Sequence, residues 1–77
     1  MPQLVRLSNC KVCVYADDHL PPHFHVRGPG WDVQVSLETF TVIVGKGCSA
    51  DIDEALQWAK SNSKLLWNEW TKLNERD

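Results

Sequence analysis

The residues best suited to chemistry lie close together in the segment 17–26, whose sequence is DDHLPPHFHV. This segment contains two adjacent carboxylates and three imidazoles, which are side chains that bind metals and transfer protons near neutral pH. If its last residues form an extended strand, His23 and His25 point to one face of the sheet, while Phe24 and Val26 point to the other. The two imidazoles then lie about 6.6 Å apart along the strand, close enough to reach one ion or one phosphate group.

Two kinds of chemistry fit this arrangement. A pair of histidines two residues apart, with a third ligand nearby, suits a divalent metal that keeps one position for water, and zinc is such a cofactor. The candidate metal ligands are Asp17, Asp18, His19, His23 and His25. In the second kind, His23 and His25 are catalytic residues that act as acid and base without a metal.

The same segment also allows a purely structural interpretation. Asp17 and Asp18 would cap a turn, and Pro21 and Pro22 would shape the bend because proline fixes φ and lacks an amide donor. The histidines would then make only local packing contacts and hydrogen bonds. The spacing of these residues leaves the three alternatives open.

A sheet must position this segment, and the sequence before residue 45 shows the period of two that strands require. We predict strands over 4–8, 11–16, 23–27, 31–37 and 40–44. The strand 31–37 alternates between apolar and polar residues, which indicates one buried face and one wet face. The continuous apolar run 40–44 favours an inner strand.

The pairing between the third and fourth strands can also be predicted. Both strands bury the same face only if Phe24 lies opposite Val35 and Val26 lies opposite Val33. A three-residue loop at 28–30 would mix the two faces, so the connection must contain two or four residues, or a bulge.

From Asp51 onward the period becomes helical, and Asp51 and Glu54 have the spacing of a capping box. Asn62 and Ser63 are weak helix formers, so we expect a kink or break there. One helical stripe consists of apolar residues that should face the sheet: Ile52, Leu56, Ala59, Leu66, Trp70 and Leu73. The predicted fold is α+β, a single domain over 1–77 with an N-terminal antiparallel sheet of about five strands. A C-terminal helix or two helices, over about 51–75, would pack on one face of that sheet.

Trp58 and Trp67 lie beside this stripe rather than within it. One interpretation is partial burial at the edge of the core. The alternative is an exposed aromatic patch that binds a partner chain.

Composition limits the class of protein. With 77 residues and 43% apolar residues the chain is sufficient for one folded domain, and its net charge of −2 does not support a broad nucleic-acid interface. The first nine residues lack the pattern of a secretion signal, and no apolar run is long enough for a membrane span. Three cysteines are an odd number, so we expect reduced thiols, with Cys10 and Cys13 as small buried hydrophobes, in a cytoplasmic protein.

The segment DDHLPPHFHV, the strand VQVSLET, Gly45 and the helical region with Trp58 and Trp70 resemble the bacterial domain of unknown function family 4160. The resemblance extends over nearly the whole chain. The positions that match the family motif are Asp18, His19, Pro21, Pro22, His23 and His25. Cys10, Cys13, Cys48 and the 28–30 turn are not part of that pattern.

Some members of that family are described as toxins of two-gene toxin–antitoxin pairs, so the resemblance implies a small cognate protein partner. We therefore expect a partner-binding component of such a module. A histidine-based or metal-dependent hydrolase, directed at RNA, and a noncatalytic metal-binding module are the alternatives. Assembly of identical chains into a homo-oligomer also remains open.

Overall fold

The computed structural model describes residues 3–15 and 21–74 of the chain. They form a five-stranded antiparallel sheet followed by two helices, which confirms the predicted α+β class. The elements are β1 (Gln3–Arg6), β2 (Lys11–Cys13), β3 (His23–Gly28), β4 (Trp31–Ser36), β5 (Val42–Val44), α1 (Ser49–Ser61) and α2 (Ser63–Asn74). The strands lie in chain order from β1 to β5.

The hairpin of β3 and β4 has the predicted register. Phe24 lies opposite Val35 and Val26 lies opposite Val33. Gly28 lies opposite Trp31, so the connecting loop contains only Pro29 and Gly30. The φ angle of Gly30 is 75°, as a type II turn requires at its third position, and proline is favoured at the second.

The prediction that 40–44 forms an inner strand is wrong. Strand β5 begins only at Val42, and it is the last strand of the sheet, paired with β4 on one side. Its three side chains are 40 to 52% exposed. An apolar run favours burial, but the chain leaves the sheet at Gly45 and then forms α1, so no other strand of the described residues covers this edge.

The core lies between one face of the sheet and the two helices. The alternating residues of β2, β3 and β4 supply the sheet side, and small or large apolar residues of the helices fill the space above them. Its buried members are Cys10, Val12, Val14, Phe24, Val26, Val33, Val35, Leu37, Ala55, Ala59, Leu66 and Trp70. The rest of the predicted helical stripe, Ile52, Leu56 and Leu73, is partly buried against this core.

The start of α1 differs from the prediction. The helix begins at Ser49, with Cys48 in the N-cap position, so Asp51 lies in the first turn and does not cap it. The Glu54 carboxylate instead accepts a hydrogen bond from the Ser8 hydroxyl at 2.9 Å. This contact joins α1 to the β1–β2 connection.

The predicted break is present at Asn62. Its side-chain amide donates to the Trp58 carbonyl at 2.8 Å, and its own carbonyl accepts from the Leu66 amide at 3.1 Å. Asn62 therefore satisfies backbone groups at the end of α1 and at the start of α2, as an amide residue at a helix junction can.

Two consecutive leucines of α2 test this packing, because Leu66 is fully buried and Leu65 is 42% exposed. Leu66→Ala should lower the free energy of unfolding by about 2–5 kcal/mol, since it removes core contacts and leaves a cavity. Leu65→Ala should change it by no more than about 0.5 kcal/mol. Urea unfolding of both variants measures the difference, and equal losses would contradict the described orientation of α2.

Candidate functional site

The residues proposed from the sequence divide into two groups. Asp17, Asp18 and His19 lie outside the described residues, so their position relative to the other candidates stays a prediction. His23 and His25 lie on β3 and share one sheet face, with ring centroids 5.2 Å apart.

His23 is a buried side chain. It is 2% exposed, and its ring lies 5.2 Å from that of Trp70 on α2. Its Nδ1 donates a hydrogen bond to the Pro21 carbonyl at 2.7 Å, which fixes the proton on that nitrogen. These contacts give His23 a structural role at the point where α2 closes the start of β3.

His25 lies two residues further along β3 and is more accessible, with 12% of its side chain exposed. Its Nδ1 is 3.4 Å from Oδ1 of Asp32, and the Tyr15 ring meets its ring edge-on at a centroid distance of 4.6 Å. A carboxylate at Nδ1 orients an imidazole.

Arg27 completes this group. It lies directly opposite Asp32 across the hairpin, and its Nε is 3.4 Å from the other carboxylate oxygen, Oδ2. Its Nη1 donates to the Tyr15 hydroxyl at 3.2 Å. We call Tyr15, His25, Arg27 and Asp32 the polar cluster, because they connect β2, β3 and β4 on the face opposite the core.

Electrostatics in the polar cluster favour a neutral phenol beside a charged guanidinium. Burial raises the pKa of Tyr15, and this effect outweighs the hydrogen bond from Arg27, which lowers it. The hydrogen bond to Tyr15 is the largest cause of a raised pKa at Arg27, with Asp32 adding to it. Arg27 therefore stays cationic and is held in place from two sides.

This geometry has a defined chemical capacity. Nδ1 of His25 is directed at Asp32, and an imidazole that a carboxylate orients is a group that can transfer protons. Within 3–15 and 21–74, no three histidine, cysteine or carboxylate side chains come together as metal ligands do. A metal at His23 and His25 would therefore need a further ligand from outside the described residues, and the predicted ligands among these are Asp17, Asp18 and His19.

Cys13 lies directly opposite His25 and interacts with Tyr15, so it borders the polar cluster. Cys10 and Cys13 are buried and Cys48 is exposed, and all three are free thiols. Burial is the main cause that raises the pKa of Cys10, with Asp51 next, so this thiol is held protonated. Trp58 and Trp67 pack against the core as partly buried side chains.

Sequence reasoning missed two features of this surface. Tyr15 and Asp32 were not recognised as partners of His25, although the predicted register already places Asp32 opposite Arg27. The exposed edge at β5 was assigned to the interior. Its position as the last strand before the helical region was the available signal.

No helix in the described part of the chain has the length and apolar character needed to cross a membrane. One protein-family model, described as "Domain of unknown function (DUF4160)", matches residues 10–71. This range contains β2 to β5, α1 and most of α2, including His23, His25, Arg27 and Asp32. No curated protein and no solved structure shows significant similarity to the chain.

Tyr15 is the only tyrosine of the chain, so its ionisation can be followed directly by ultraviolet absorbance. We expect it to ionise above the ordinary tyrosine value of about 10. Arg27→Gln should raise this pKa further because it removes the hydrogen bond that lowers it. The neutral Tyr15 side chain should contribute its full stabilisation of the folded state at any pH below the unfolded-state pKa. This stabilisation should be lost as pH rises through the folded-state pKa. Lys64→Gln, with the same change in charge on α2, is the control, and an equal shift in both variants would contradict the contact.

Proposed function

This chain belongs to the DUF4160 family, and we propose that it is the partner-binding component of a toxin–antitoxin type module, with strand β5 as the binding edge. The observation that supports this proposal most directly is the exposure of β5. Val42, Ile43 and Val44 are 40, 42 and 52% exposed, although valine and isoleucine are usually buried.

An edge strand has a specific binding chemistry. Along the outer side of β5, backbone amide and carbonyl groups have no neighbouring strand among residues 3–15 and 21–74, so they can pair with an extended segment of another protein. The side chains of β5 add apolar contact area on both faces of such a pair. The occupant that fits is therefore an extended, apolar segment.

The two edges of the sheet differ in a way that favours β5. Both edge pairings have a register irregularity, but β1 ends in the charged residue Arg6. Charged residues protect sheet edges against added strands. Strand β5 contains neither a charge nor a proline.

Charge complementarity favours a different protein over a second copy of this chain. Lys46 is the only charged residue between Phe40 and Ala50, and it follows β5 by two positions. If two copies of β5 paired antiparallel about Ile43, Lys46 would lie opposite Phe40 and gain no counterion. A partner segment with a carboxylate at that position would complement Lys46 as well as the apolar strand.

A second candidate function is hydrolysis, with RNA as the substrate class. The observation that favours it is the contact of His25 with Asp32, which directs one ring nitrogen at a carboxylate, beside the guanidinium of Arg27. Such a group supplies an oriented base and a cation for a phosphate. Hydrolysis would use the residues of the polar cluster and would not involve β5.

Ile43→Lys tests the edge. We expect it to raise the Kd for the product of the neighbouring gene by about tenfold or more, equal to a loss of at least ~1.4 kcal/mol, because charge on an edge strand opposes pairing. Isothermal titration calorimetry on the co-expressed pair provides the measurement. Leu65→Lys is the matched control, since Leu65 has the same 42% exposure on α2, and its Kd should stay near that of the wild type.

Two outcomes would overturn the proposal at β5. The first is equal weakening by Ile43→Lys and Leu65→Lys. The second is a dimer of this chain, seen by light scattering, that Ile43→Lys dissociates while the neighbouring gene product does not bind. Cells can also be made to express the chain with and without the neighbouring gene product. If their growth is unaffected in both cases, the toxin–antitoxin role is contradicted.

His25→Ala tests the second function. It should lower RNA cleavage by about 100-fold or more, the usual contribution of a general acid or base. Circular dichroism should show an unchanged fold, and metal analysis of untagged protein separates metal-assisted from metal-free cleavage. Cleavage at the same rate in wild type and variant would exclude His25 as the catalytic base.

A further inference from the structure

A row of positive charges crosses the sheet beside the polar cluster. The strand pairing places Arg6 of β1 opposite Lys11 of β2, and Lys11 opposite Arg27 of β3. Residues directly opposite in antiparallel strands share a face, with Cβ atoms about 4.5–5.5 Å apart. We call Arg6, Lys11 and Arg27 the cationic row.

Such a row costs stability unless an anion occupies it, because like charges directly opposite each other repel. Within the cationic row, only Arg27 has an ion-pair partner among the described residues, namely Asp32 at 3.4 Å. No carboxylate in that part of the chain forms an ion pair with Arg6 or Lys11. A chain with a net charge of −2 thus concentrates cations at one place.

The cationic row lines an open cleft of about 460 Å³. The side-chain amides of Gln3 and Asn9 on the same cleft add hydrogen-bond donors, while the Ser8 hydroxyl donates to Glu54. The volume is in the range of small-molecule sites, about 300–1,000 Å³. Arg27 is also held by Tyr15 and Asp32, so one guanidinium is positioned before any ligand arrives.

We propose that the cationic row binds the phosphate monoester group of a small molecule. Arginine guanidinium groups hold phosphate oxygens in pairs, and lysine adds a point charge. Asp32 offsets one of the three positive charges, and the remaining two match a phosphate monoester dianion near neutral pH.

The shape of the charged surface favours one phosphate group over a nucleic-acid strand. The next positions on the same face, toward the polar cluster, are Cys13, His25 and Gln34, which carry no fixed positive charge. The cations therefore form one row across three strands, about 10 Å wide, whereas a nucleic-acid backbone requires a stripe or patch of many cations. This proposal is independent of β5.

The test uses inorganic phosphate, adenosine monophosphate and adenosine as probes, with sodium chloride at matched ionic strength. Titration calorimetry and thermal unfolding should show that both phosphates bind and raise the Tm, while adenosine does neither. Lys11→Gln should weaken phosphate binding about tenfold or more, as expected for loss of one charged contact. Lys64→Gln, the same change on α2, should leave it unchanged.

Lys11→Gln also tests whether the charges of the cationic row repel each other. If they do, removing one of them should leave the Tm measured without phosphate equal to or above that of the wild type. A lower Tm without phosphate would overturn the claim that these charges repel each other.

Equal phosphate effects in Lys11→Gln and Lys64→Gln would show general salt stabilisation and overturn the site. Tighter binding of an unphosphorylated RNA strand than of adenosine monophosphate would overturn the proposal in favour of a nucleic-acid surface. Tighter binding of adenosine monophosphate than of inorganic phosphate would support a phosphorylated small molecule as the natural ligand.

Discussion

The pairing of β3 with β4 is the constraint on which the rest of this structure depends. The two-residue turn at Pro29 and Gly30 sets the register, and a shift of one residue would exchange the two faces. In the observed register, Phe24 and Val26 enter the core. Their neighbours His25 and Arg27 must then lie on the opposite face, where Asp32 reaches both. Core packing and the polar cluster are therefore two consequences of one hydrogen-bonded ladder.

Much of this arrangement can be predicted from the sequence, because it depends on the period of apolar residues along each strand and on the length of the turn between β3 and β4. The alternation in 31–37 and the apolar pair in 23–27 leave one register that buries both strands, and that register is present. The break at Asn62 was equally predictable, since Asn62 and Ser63 are adjacent residues of low helix propensity and Ser63 interrupts the apolar stripe. Local patterns contain this information without any knowledge of distant contacts.

The features that sequence reasoning missed are determined by contacts between distant residues. Period two places His23 on the outer face, but Trp70 of α2 lies against its ring and buries it. The run at 40–44 suggested burial, yet burial depends on whether another strand follows, which hydropathy cannot report. Tyr15 meets His25 only because β2 pairs beside β3. In each case the presence or absence of a distant element beside the residue determines its burial or its partner.

The strand order separates the two proposed binding surfaces. The cationic row extends from β1 to β3, where Asp32 of β4 pairs with its last member, Arg27. The exposed edge lies beyond β4 at β5. Gly45 packs tightly where the chain leaves β5, because an added Cβ there would meet the Asp32 carbonyl at 2.6 Å. A strand added outside β5 extends the sheet without covering β1 to β3. A protein partner at the edge and a phosphate at the row can thus be bound by one sheet without competing for the same residues.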